Sequence, residues 1–315
     1  METTMVGTVV RIKGRDYFVA LGEKEYRCTI RGKFRIKGVV EGSIPVVGDR
    51  VEVRVDESLP SNEPQGLITN VLPRKSVFRR VDPSNRQRSR VIASNIDEVC
   101  LVFSIREPEL NRRMLDRMIV AAESEGIEPV ICINKMDLAE NRDSAERNML
   151  VYSSLGYRTI YTSTVTGEGI DELKNIMLNK ISILTGPSGS GKSSLIARIQ
   201  PGLELKVGSV SSRTGKGRHT TTHFELHRLD EGGYIADTPG IREFGIYGVA
   251  KEELSRYFRE FASFEGQCRF SPCTHSHEPG CSVKKALEEG LIDGERYGSY
   301  LRILESLETL RSWKK

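Results

Sequence analysis

The feature that most constrains this 315-residue chain is the glycine-rich segment GPSGSGKSS at residues 186–194. It matches the pattern G-x-x-x-x-G-K-[ST] and lies between an apolar strand-like run, ISILT, and a helix-like run, SLIARI. In that setting the glycines let backbone N–H groups turn towards phosphates, and the following helix adds its positive end. The sequence therefore predicts a phosphate-binding loop; a glycine-rich turn without a ligand is the alternative.

Two residues of the loop have side-chain roles in phosphate chemistry. We expect Lys192 to neutralise the β- and γ-phosphates and the hydroxyl of Ser193 to ligate Mg²⁺. Backbone and side-chain contacts to the nucleotide are expected along the whole loop: Gly186, Pro187, Ser188, Gly189, Ser190, Gly191, Lys192, Ser193 and Ser194.

A second phosphate-sensing motif, Asp237-Thr238-Pro239-Gly240, follows the apolar run GGYIA. This places Asp237 at the carboxyl end of a predicted strand, where its carboxylate can hold the magnesium shell. The backbone N–H of Gly240 would then approach the γ-phosphate. A D-x-x-G sequence is common in turns, but downstream of a phosphate-binding loop it supports the same site.

The motif Asn134-Lys135-Met136-Asp137 follows the strand-like run PVICI and indicates the base. The carboxylate of Asp137 can accept hydrogen bonds from N1–H and the exocyclic amine of guanine, whereas adenine offers neither donor and would leave it unsatisfied. Ser163 and Thr164 follow the run RTIY and are expected to form a second loop against the base. The predicted ligands are therefore GTP and GDP.

Residues 211–222, SSRTGKGRHTTT, are predicted to form a mobile loop that a ligand orders. We expect one of Thr220, Thr221 and Thr222, with Thr221 as the central candidate, to complete the Mg²⁺ shell and sense the γ-phosphate. Ile241 stands where many GTPases carry a water-orienting glutamine. Intrinsic hydrolysis is therefore expected to be slow, and to be rescued by a partner or by another polar group such as His219. A flexible basic loop without these roles is the alternative.

The four motifs resemble those of translation-factor-like GTPases, in which the phosphate-binding loop comes first and the guanine loops come last. Here Asn134 precedes Gly186, so the resemblance points to circularly permuted GTPases. Such a permutation is allowed because a sheet requires only that its strands be adjacent in space. Alternating strand and helix patterns over 95–242 predict an α/β P-loop domain with a mainly parallel sheet.

The first 74 residues contain about five short alternating runs, which predict an all-β, OB-type barrel. Residues 1–90 carry 18 Lys and Arg against 11 Asp and Glu, although the whole chain has a formal charge of only +4. Basic and aromatic residues interleave, which suits an RNA surface, while a solvated basic face is the alternative. Residues 75–94 are polar, basic and without a clear period, and are interpreted as a linker. The basic and aromatic residues concerned are Arg11, Lys13, Arg15, Tyr17, Phe18, Tyr26, Arg31, Lys33, Phe34 and Arg35.

The carboxy-terminal region, 243–315, is predicted to be a small helical unit, beginning with an amphipathic helix near KEELSRYFREFASF. Within it, Cys268, Cys273, His275 and Cys281 supply the Cys₃His set of one closed structural zinc site. Disulfides are the alternative, and His277 competes with His275 as the fourth ligand. The remaining cysteines, Cys28, Cys100 and Cys132, lie in apolar strand-like runs and are expected to be core residues.

The full-length arrangement resembles the small-ribosomal-subunit-dependent GTPase A family. The resemblance rests on INKMD, GPSGSGKSS, GRHTTTH, DTPGIREF and CRFSPCTHSHEPGC. It implies a monomeric, cytoplasmic GTPase that binds the small (30S) ribosomal subunit and 16S rRNA late in ribosome maturation, with low intrinsic activity that the subunit stimulates. No apolar run reaches the roughly 20 residues of a membrane span, and no signal peptide is evident.

Two other functional classes remain open on sequence grounds. A P-loop kinase or ATPase would bind ATP and lack the N-K-x-D motif. A nucleotide-gated RNA-binding scaffold with little turnover would share every motif described above.

Overall fold

The amino-terminal strands close into a five-stranded barrel, as predicted. In this computed structural model, the described residues are 2–30, 44–56, 65–81, 89–203, 224–237 and 246–312. The barrel order is β1-β2-β3-β5-β4, with β3 and β5 parallel and the other pairs antiparallel. Its strands are β1 (Glu2–Lys13), β2 (Asp16–Leu21), β3 (Lys24–Ile30), β4 (Arg50–Asp56) and β5 (Gln65–Val71). Valines, Ile68 and Cys28 fill its interior.

Residues 75–94, which the sequence predicts to be a basic linker, contain regular structure. They contain an antiparallel hairpin of β6 (Val77–Val81) and β7 (Ser89–Ser94). Phe78 and Ala93 pair across the hairpin and are fully buried. Because a β-bulge between Phe78 and Arg79 shifts the register, the alternation of apolar and charged residues is broken in the sequence.

A buried ionic contact joins the barrel to the hairpin. Asp49 is fully buried, and both of its carboxylate oxygens accept hydrogen bonds of 2.7 Å from the guanidinium of Arg74. The hydroxyl of Ser94 also donates to Asp49, and Asn95 donates to the carbonyl of Gly48. These bonds satisfy a charge that would otherwise be costly to bury, and they fix the barrel against the next domain.

A six-stranded sheet forms the centre of the protein, in the order β10-β9-β8-β11-β13-β12. All neighbouring pairs are parallel except β12 with β13, so the predicted mainly parallel α/β sheet is confirmed. Its strands are β8 (Glu98–Ser104), β9 (Glu128–Asn134), β10 (Arg158–Tyr161), β11 (Ile181–Thr185), β12 (His227–Arg228) and β13 (Tyr234–Asp237).

Helices cover both faces of the sheet. On one face, α1 (Arg112–Ser124) and α2 (Arg142–Ser154) share an apolar core with Leu101 and Ile131. On the other, α3 (Ile170–Met177) and α4 (Lys192–Ile199) pack over a core that includes Cys100 and Cys132. The three isolated cysteines are therefore buried core residues, as expected.

The carboxy-terminal unit is helical, but its first segment differs from the prediction. Two short 3₁₀ helices, Leu254–Tyr257 and Arg259–Phe264, replace the expected amphipathic helix. They are separated by Phe258, whose extended backbone lets its buried ring pack edge-on against Tyr300 at 5.1 Å. The helices α5 (Ser282–Glu288) and α6 (Gly294–Ser312) come next in the chain. Within the described ranges, no helix has the length and hydropathy needed to cross a membrane.

A buried charge network fixes α6 to the central domain. The guanidinium of Arg296, 1% exposed, donates to both carboxylate oxygens of Glu260 at 2.8 and 2.9 Å. It also donates to Asp116 on α1 at 2.7 Å, and the hydroxyl of Tyr152 on α2 donates to the same Asp116 oxygen at 2.8 Å. Burial raises the pKa of Asp116, although the charge of Arg296 opposes the shift. The network therefore depends on the guanidinium.

We expect Arg296→Gln to destabilise the protein by about 3–5 kcal/mol, because it leaves two buried carboxylates without their cation. The matched control is Arg302→Gln on the same helix, where the side chain is exposed and a change within about 0.5 kcal/mol is expected. Urea unfolding followed by circular dichroism measures both. Equal midpoints for the two variants would contradict the importance of the network.

Candidate nucleotide and metal sites

The predicted nucleotide motifs meet at one edge of the central sheet. β9 ends at Asn134, β11 ends one residue before Gly186, and β13 ends at Asp237. Ser163 follows β10 by two residues. Because these four strands are parallel, their carboxyl ends lie together, which is where α/β sheets bind ligands. The edge therefore gathers motifs that are about 100 residues apart in the chain.

The backbone of the 186–194 loop leaves no room for side chains at two glycines. A Cβ atom on Gly186, which has φ +151°, would lie 2.0 Å from the carbonyl oxygen of Val102. A Cβ atom on Gly191, with φ +93°, would lie 2.2 Å from the side-chain amide nitrogen, Nδ2, of Asn134. The loop is thus pressed against β8 and against the guanine motif, and only glycine fits at these points.

Donors of the loop are available to an anion. Within the described part of the chain, the backbone N–H groups of Ser188, Gly189 and Gly191 have no hydrogen-bond acceptor. The ammonium of Lys192 donates to the carbonyls of Gly186 and Pro187 at 3.0 and 2.8 Å, so it lies across the loop. Ser193 and Ser194 are exposed at the first turn of α4, and Ser190 is buried. This arrangement is suited to polyphosphate.

Asn134 connects the guanine motif to the phosphate loop. Its buried side-chain amide donates to the carbonyl of Ser190 at 2.9 Å, and its carbonyl oxygen accepts from the hydroxyl of Thr162 at 3.0 Å. Met136 is buried and its N–H donates to the carbonyl of Thr162. Lys135 has φ +62°, a left-handed conformation that turns the chain at the strand end. Asn134 therefore acts as a structural bridge.

Asp137 is exposed, and its carboxylate is oriented by the second loop. The hydroxyl of Ser163, which is fully buried, donates to Asp137. The oxygen of Ser163 in turn accepts from the N–H groups of Val165 and Thr166, each at 3.2 Å. Thr164 is half-buried beside it. One carboxylate oxygen of Asp137 is thus held by protein, while the group as a whole faces solvent at the ligand edge.

Three residues at this edge were not identified from sequence. Thr162 holds Asn134, and its position directly before Ser163 is the only signal that the sequence offers. The segment after β8 is the second omission: the carbonyl of Glu107 accepts from the ammonium of Lys135, and the Pro108 ring lies 3.4 Å from the Cβ position of Gly189. Only tertiary contact brings this segment to the loop.

Several predicted catalytic residues lie outside the described residues. These are His219, the three threonines Thr220, Thr221 and Thr222, and Gly240; Ile241, which replaces the usual glutamine, also lies outside them. The backbone of Asp237 is described and pairs with Leu184 on β11. The catalytic and phosphate-sensing roles of Asp237 and of the residues outside the described ranges remain predictions.

The Cys/His cluster is assembled in the carboxy-terminal unit. The ligand atoms of Cys268, Cys273, His275 and Cys281 all lie within 4.8 Å of one another. Nδ1 of His275 is 3.3 Å from the sulfur of Cys281 and 3.5 Å from that of Cys268, and the two sulfurs are 3.9 Å apart. All the cysteines are free thiols. Such separations fit four donors around one tetrahedral ion.

His277 does not join this cluster, because its Nδ1 contacts the hydroxyl of Ser276 at 2.9 Å. Helix α6 supports the loop that carries His275. Tyr297 donates to the carbonyl of His275 at 2.7 Å, and Tyr300 donates to the carbonyl of Thr274. Such outer contacts orient metal ligands.

The carboxylate of Glu278 stabilises the same loop by accepting hydrogen bonds from Thr274 and Ser276. Burial acts to raise its pKa, but hydrogen bonds from the Thr274 hydroxyl and from the N–H groups of Thr274 and Ser276 outweigh burial and lower the pKa to about 2. Since the folded pKa lies below the ordinary value of 4.5, the ionised carboxylate stabilises the loop at neutral pH. This stabilisation is lost as the pH falls from 4.5 to about 2.

Comparison with known proteins identifies the family. Residues 71–247 match the family model described as RsgA GTPase, and residues 6–61 match the RsgA N-terminal domain. The chain belongs to the RsgA GTPase family. It is therefore a GTP-hydrolysing enzyme, and the family resemblance drawn from its motifs is confirmed.

Relatives match over nearly the whole chain. The small ribosomal subunit biogenesis GTPase RsgA of Caldanaerobacter subterraneus subsp. tengcongensis is 45% identical, with 96% of this chain and 95% of the relative covered. The protein of the same description from Chlorobaculum parvum is 41% identical, with 98% and 100% covered. The match thus includes the barrel and the carboxy-terminal unit.

Two solved structures share the fold. The crystal structure of YjeQ from Thermotoga maritima has a TM-score of 0.78 and 37% identity, covering 97% of this chain and 99% of that one. YloQ, described as a circularly permuted GTPase, has a TM-score of 0.76 and 26% identity, covering 98% and 96%. The predicted circular permutation is therefore confirmed.

Proposed function

We propose that the protein binds GTP at the carboxyl edge of its central sheet and uses its hydrolysis in late maturation of the small (30S) ribosomal subunit. The observation that most directly supports this proposal is the hydrogen bond from Asn134 to the carbonyl of Ser190. This bond fixes the guanine motif against the phosphate loop, although the two residues are 56 positions apart in the chain. The subunit is proposed from the relatives, which are named as small ribosomal subunit biogenesis GTPases.

The proposed chemistry assigns a role to each group at the edge. Lys192 and the backbone N–H groups of Ser188, Gly189 and Gly191 stabilise charge on the β- and γ-phosphates as the bond to the leaving group breaks. Ser193 and Asp237 would hold Mg²⁺, which neutralises phosphate charge when bound. Asp137 and the loop of Ser163 and Thr164 select guanine. Thr221 and Gly240 sense the γ-phosphate, and His219 serves hydrolysis in place of a glutamine.

Recognition of 16S rRNA is proposed for the barrel. Lys13 and Arg15 are exposed on its β1–β2 turn, and the guanidinium of Arg11 lies 4.0 Å from the ring centre of Phe18. Arg11 also pairs with Glu25 at 2.6 Å. The remaining basic residues of the predicted surface, Arg31, Lys33 and Arg35, lie outside the described residues.

A structural zinc ion is proposed for the Cys268, Cys273, His275 and Cys281 cluster. Four protein donors leave no open position for catalysis, and the loop sequence GQCRFSPCTHSHEPGC contains few hydrophobic residues. The proposed organisation is a barrel over 1–74, a basic connection over 75–94, the GTPase domain over 95–242 and the zinc unit over 243–315. We propose that the protein acts as a cytoplasmic monomer.

The second candidate is a nucleotide-gated RNA-binding scaffold with little turnover. The observation that favours it is Ile241, because an apolar side chain cannot orient the attacking water. Subunit-stimulated turnover separates the two candidates.

Asp137→Asn is expected to weaken GTP binding about 100-fold or more, because hydrogen bonds to a charged acceptor contribute about 1.5–3 kcal/mol each. Binding of xanthosine triphosphate should improve, since its C2 carbonyl can accept from the new amide. Fluorescence titration with labelled nucleotides measures both affinities. The control Asp143→Asn replaces an exposed acid on α2 and should change neither. Unaltered GTP affinity in the first variant would remove Asp137 from base recognition.

His275→Ala is expected to abolish stoichiometric zinc binding and lower the thermal midpoint, whereas the matched variant His277→Ala retains one ion per chain. The reason is that, of these two histidines, His275 places a ring nitrogen among the three sulfurs and His277 contacts Ser276 instead. Elemental analysis of purified protein measures the ion. A full zinc complement in His275→Ala would exclude the proposed ligand set.

Turnover of GTP by the unaltered protein is expected to be slow alone and to rise at least tenfold with small ribosomal subunits. Large subunits serve as the control and should give no such rise. Phosphate release under single-turnover conditions measures the rate. Fast hydrolysis without subunits would contradict partner activation, and slow hydrolysis under every condition would favour the scaffold.

A further inference from the structure

A groove without an assigned role lies between the barrel and the amino edge of the central sheet. Its volume is about 620 Å³, which lies within the range of about 300–1,000 Å³ seen for ligand sites. One wall comes from the barrel and the segment after it, and the other from the starts of β11 and β13. The residues that decide its chemistry are Arg50, Lys75, Asp97, Asn179, Lys180 and Tyr234.

The groove carries a net positive charge, and most of that charge is not neutralised by ion pairs among the described residues. In the described ranges, neither the guanidinium of Arg50 nor the ammonium of Lys75 has an ion-pair partner, and both side chains are exposed. Lys180 pairs with Glu98 at 2.5 Å. The one acidic lining residue, Asp97, accepts a hydrogen bond from the N–H of Ile181 at 2.8 Å. Two free cations therefore face the groove, which suits phosphate groups.

The opposite wall offers an aromatic surface and an amide. Tyr234 is half-buried at the start of β13, where its N–H donates to the carbonyl of Lys180 at 2.7 Å and fixes the backbone. Asn179 is exposed beside it. Cations on one side and an aromatic ring on the other are the combination that binds single strands, because phosphates meet the cations and a base stacks on the ring.

We propose that a short segment of single-stranded RNA binds in this groove. Arg50 and Lys75 contact its phosphates and one base stacks on Tyr234. The site lies at the edge opposite the nucleotide, at the first residues of β11 and β13, and those strands lead to Gly186 and Asp237. The choice of RNA as the ligand rests on the proposed function; the recognition of a phosphate strand rests on the groove.

The test uses the full chain with GDP and a fluorescent oligouridine of about ten nucleotides, followed by anisotropy over a series of salt concentrations. Each phosphate contact adds about 0.7 to the slope of log affinity against log salt, so the double variant Arg50→Gln/Lys75→Gln should reduce that slope by about 1.4. Tyr234→Leu should weaken binding about fivefold to a hundredfold and leave the slope unchanged.

Arg147→Gln is the matched control, because Arg147 is exposed on α2 and does not line the groove. This variant should bind RNA as the unaltered protein does. GDP affinity and the thermal midpoint verify folding, and the two exposed cations keep the test intact if Tyr234→Leu does not fold. An unchanged slope in the double variant, an equal loss in Arg147→Gln, or uridine monophosphate binding as tightly as the oligomer would overturn the proposal.

Small-subunit stimulation, measured on the same proteins, separates this inference from the proposed function. If the unaltered protein is not stimulated, the proposed function fails, while the oligouridine slopes still decide the groove. If it is stimulated and binds oligouridine independently of Arg50, Lys75 and Tyr234, the groove inference alone fails.

Discussion

Parallel pairing of β8, β9, β11 and β13 is the constraint on which the rest of the structure depends. A parallel sheet places the carboxyl ends of its strands at one edge, whatever the order in which the chain supplies them. The guanine motif after β9 can therefore precede the phosphate loop after β11 in sequence and still contact it. The bond between Asn134 and Ser190 is the direct consequence of this geometry.

The permutation also connects the phosphate-sensing motif to the carboxy-terminal unit. In this chain order, β13 leads from Asp237 into that unit, and β8 begins the domain. The unit is joined to the central domain through Arg296, whose charge is shared between Glu260 and Asp116. The same helix supports the Cys/His loop through Tyr297 and Tyr300. The phosphate-sensing motif, the Arg296 charge network and the Cys/His cluster thus belong to one connected scaffold.

The sequence alone was sufficient to predict a motif where its chemistry requires residues at a short, fixed spacing. The 186–194 loop, the motif at 134–137 and the cysteine and histidine spacing all carry their geometry locally, and the barrel and the parallel sheet are predictable from apolar periodicity. The hairpin of β6 and β7 was missed because a bulge next to Arg79 breaks its alternation.

The other misses need tertiary information. The two 3₁₀ helices replace a continuous helix because Phe258 packs on Tyr300, which is 42 residues away in the chain. Thr162 and the Glu107–Pro108 segment reach the nucleotide edge only through contacts with Asn134, Lys135 and Gly189. No local pattern encodes such contacts.

The central claim is that three segments distant in sequence form one guanine-nucleotide site at the carboxyl edge. Amide hydrogen exchange with saturating GDP and Mg²⁺ tests it directly, because each segment is observed separately in the same sample. Protection of 134–137, 162–166 and 186–194 together, with no such protection by ADP, is the predicted result. Protection confined to 186–194, or equal protection by ADP, would contradict it.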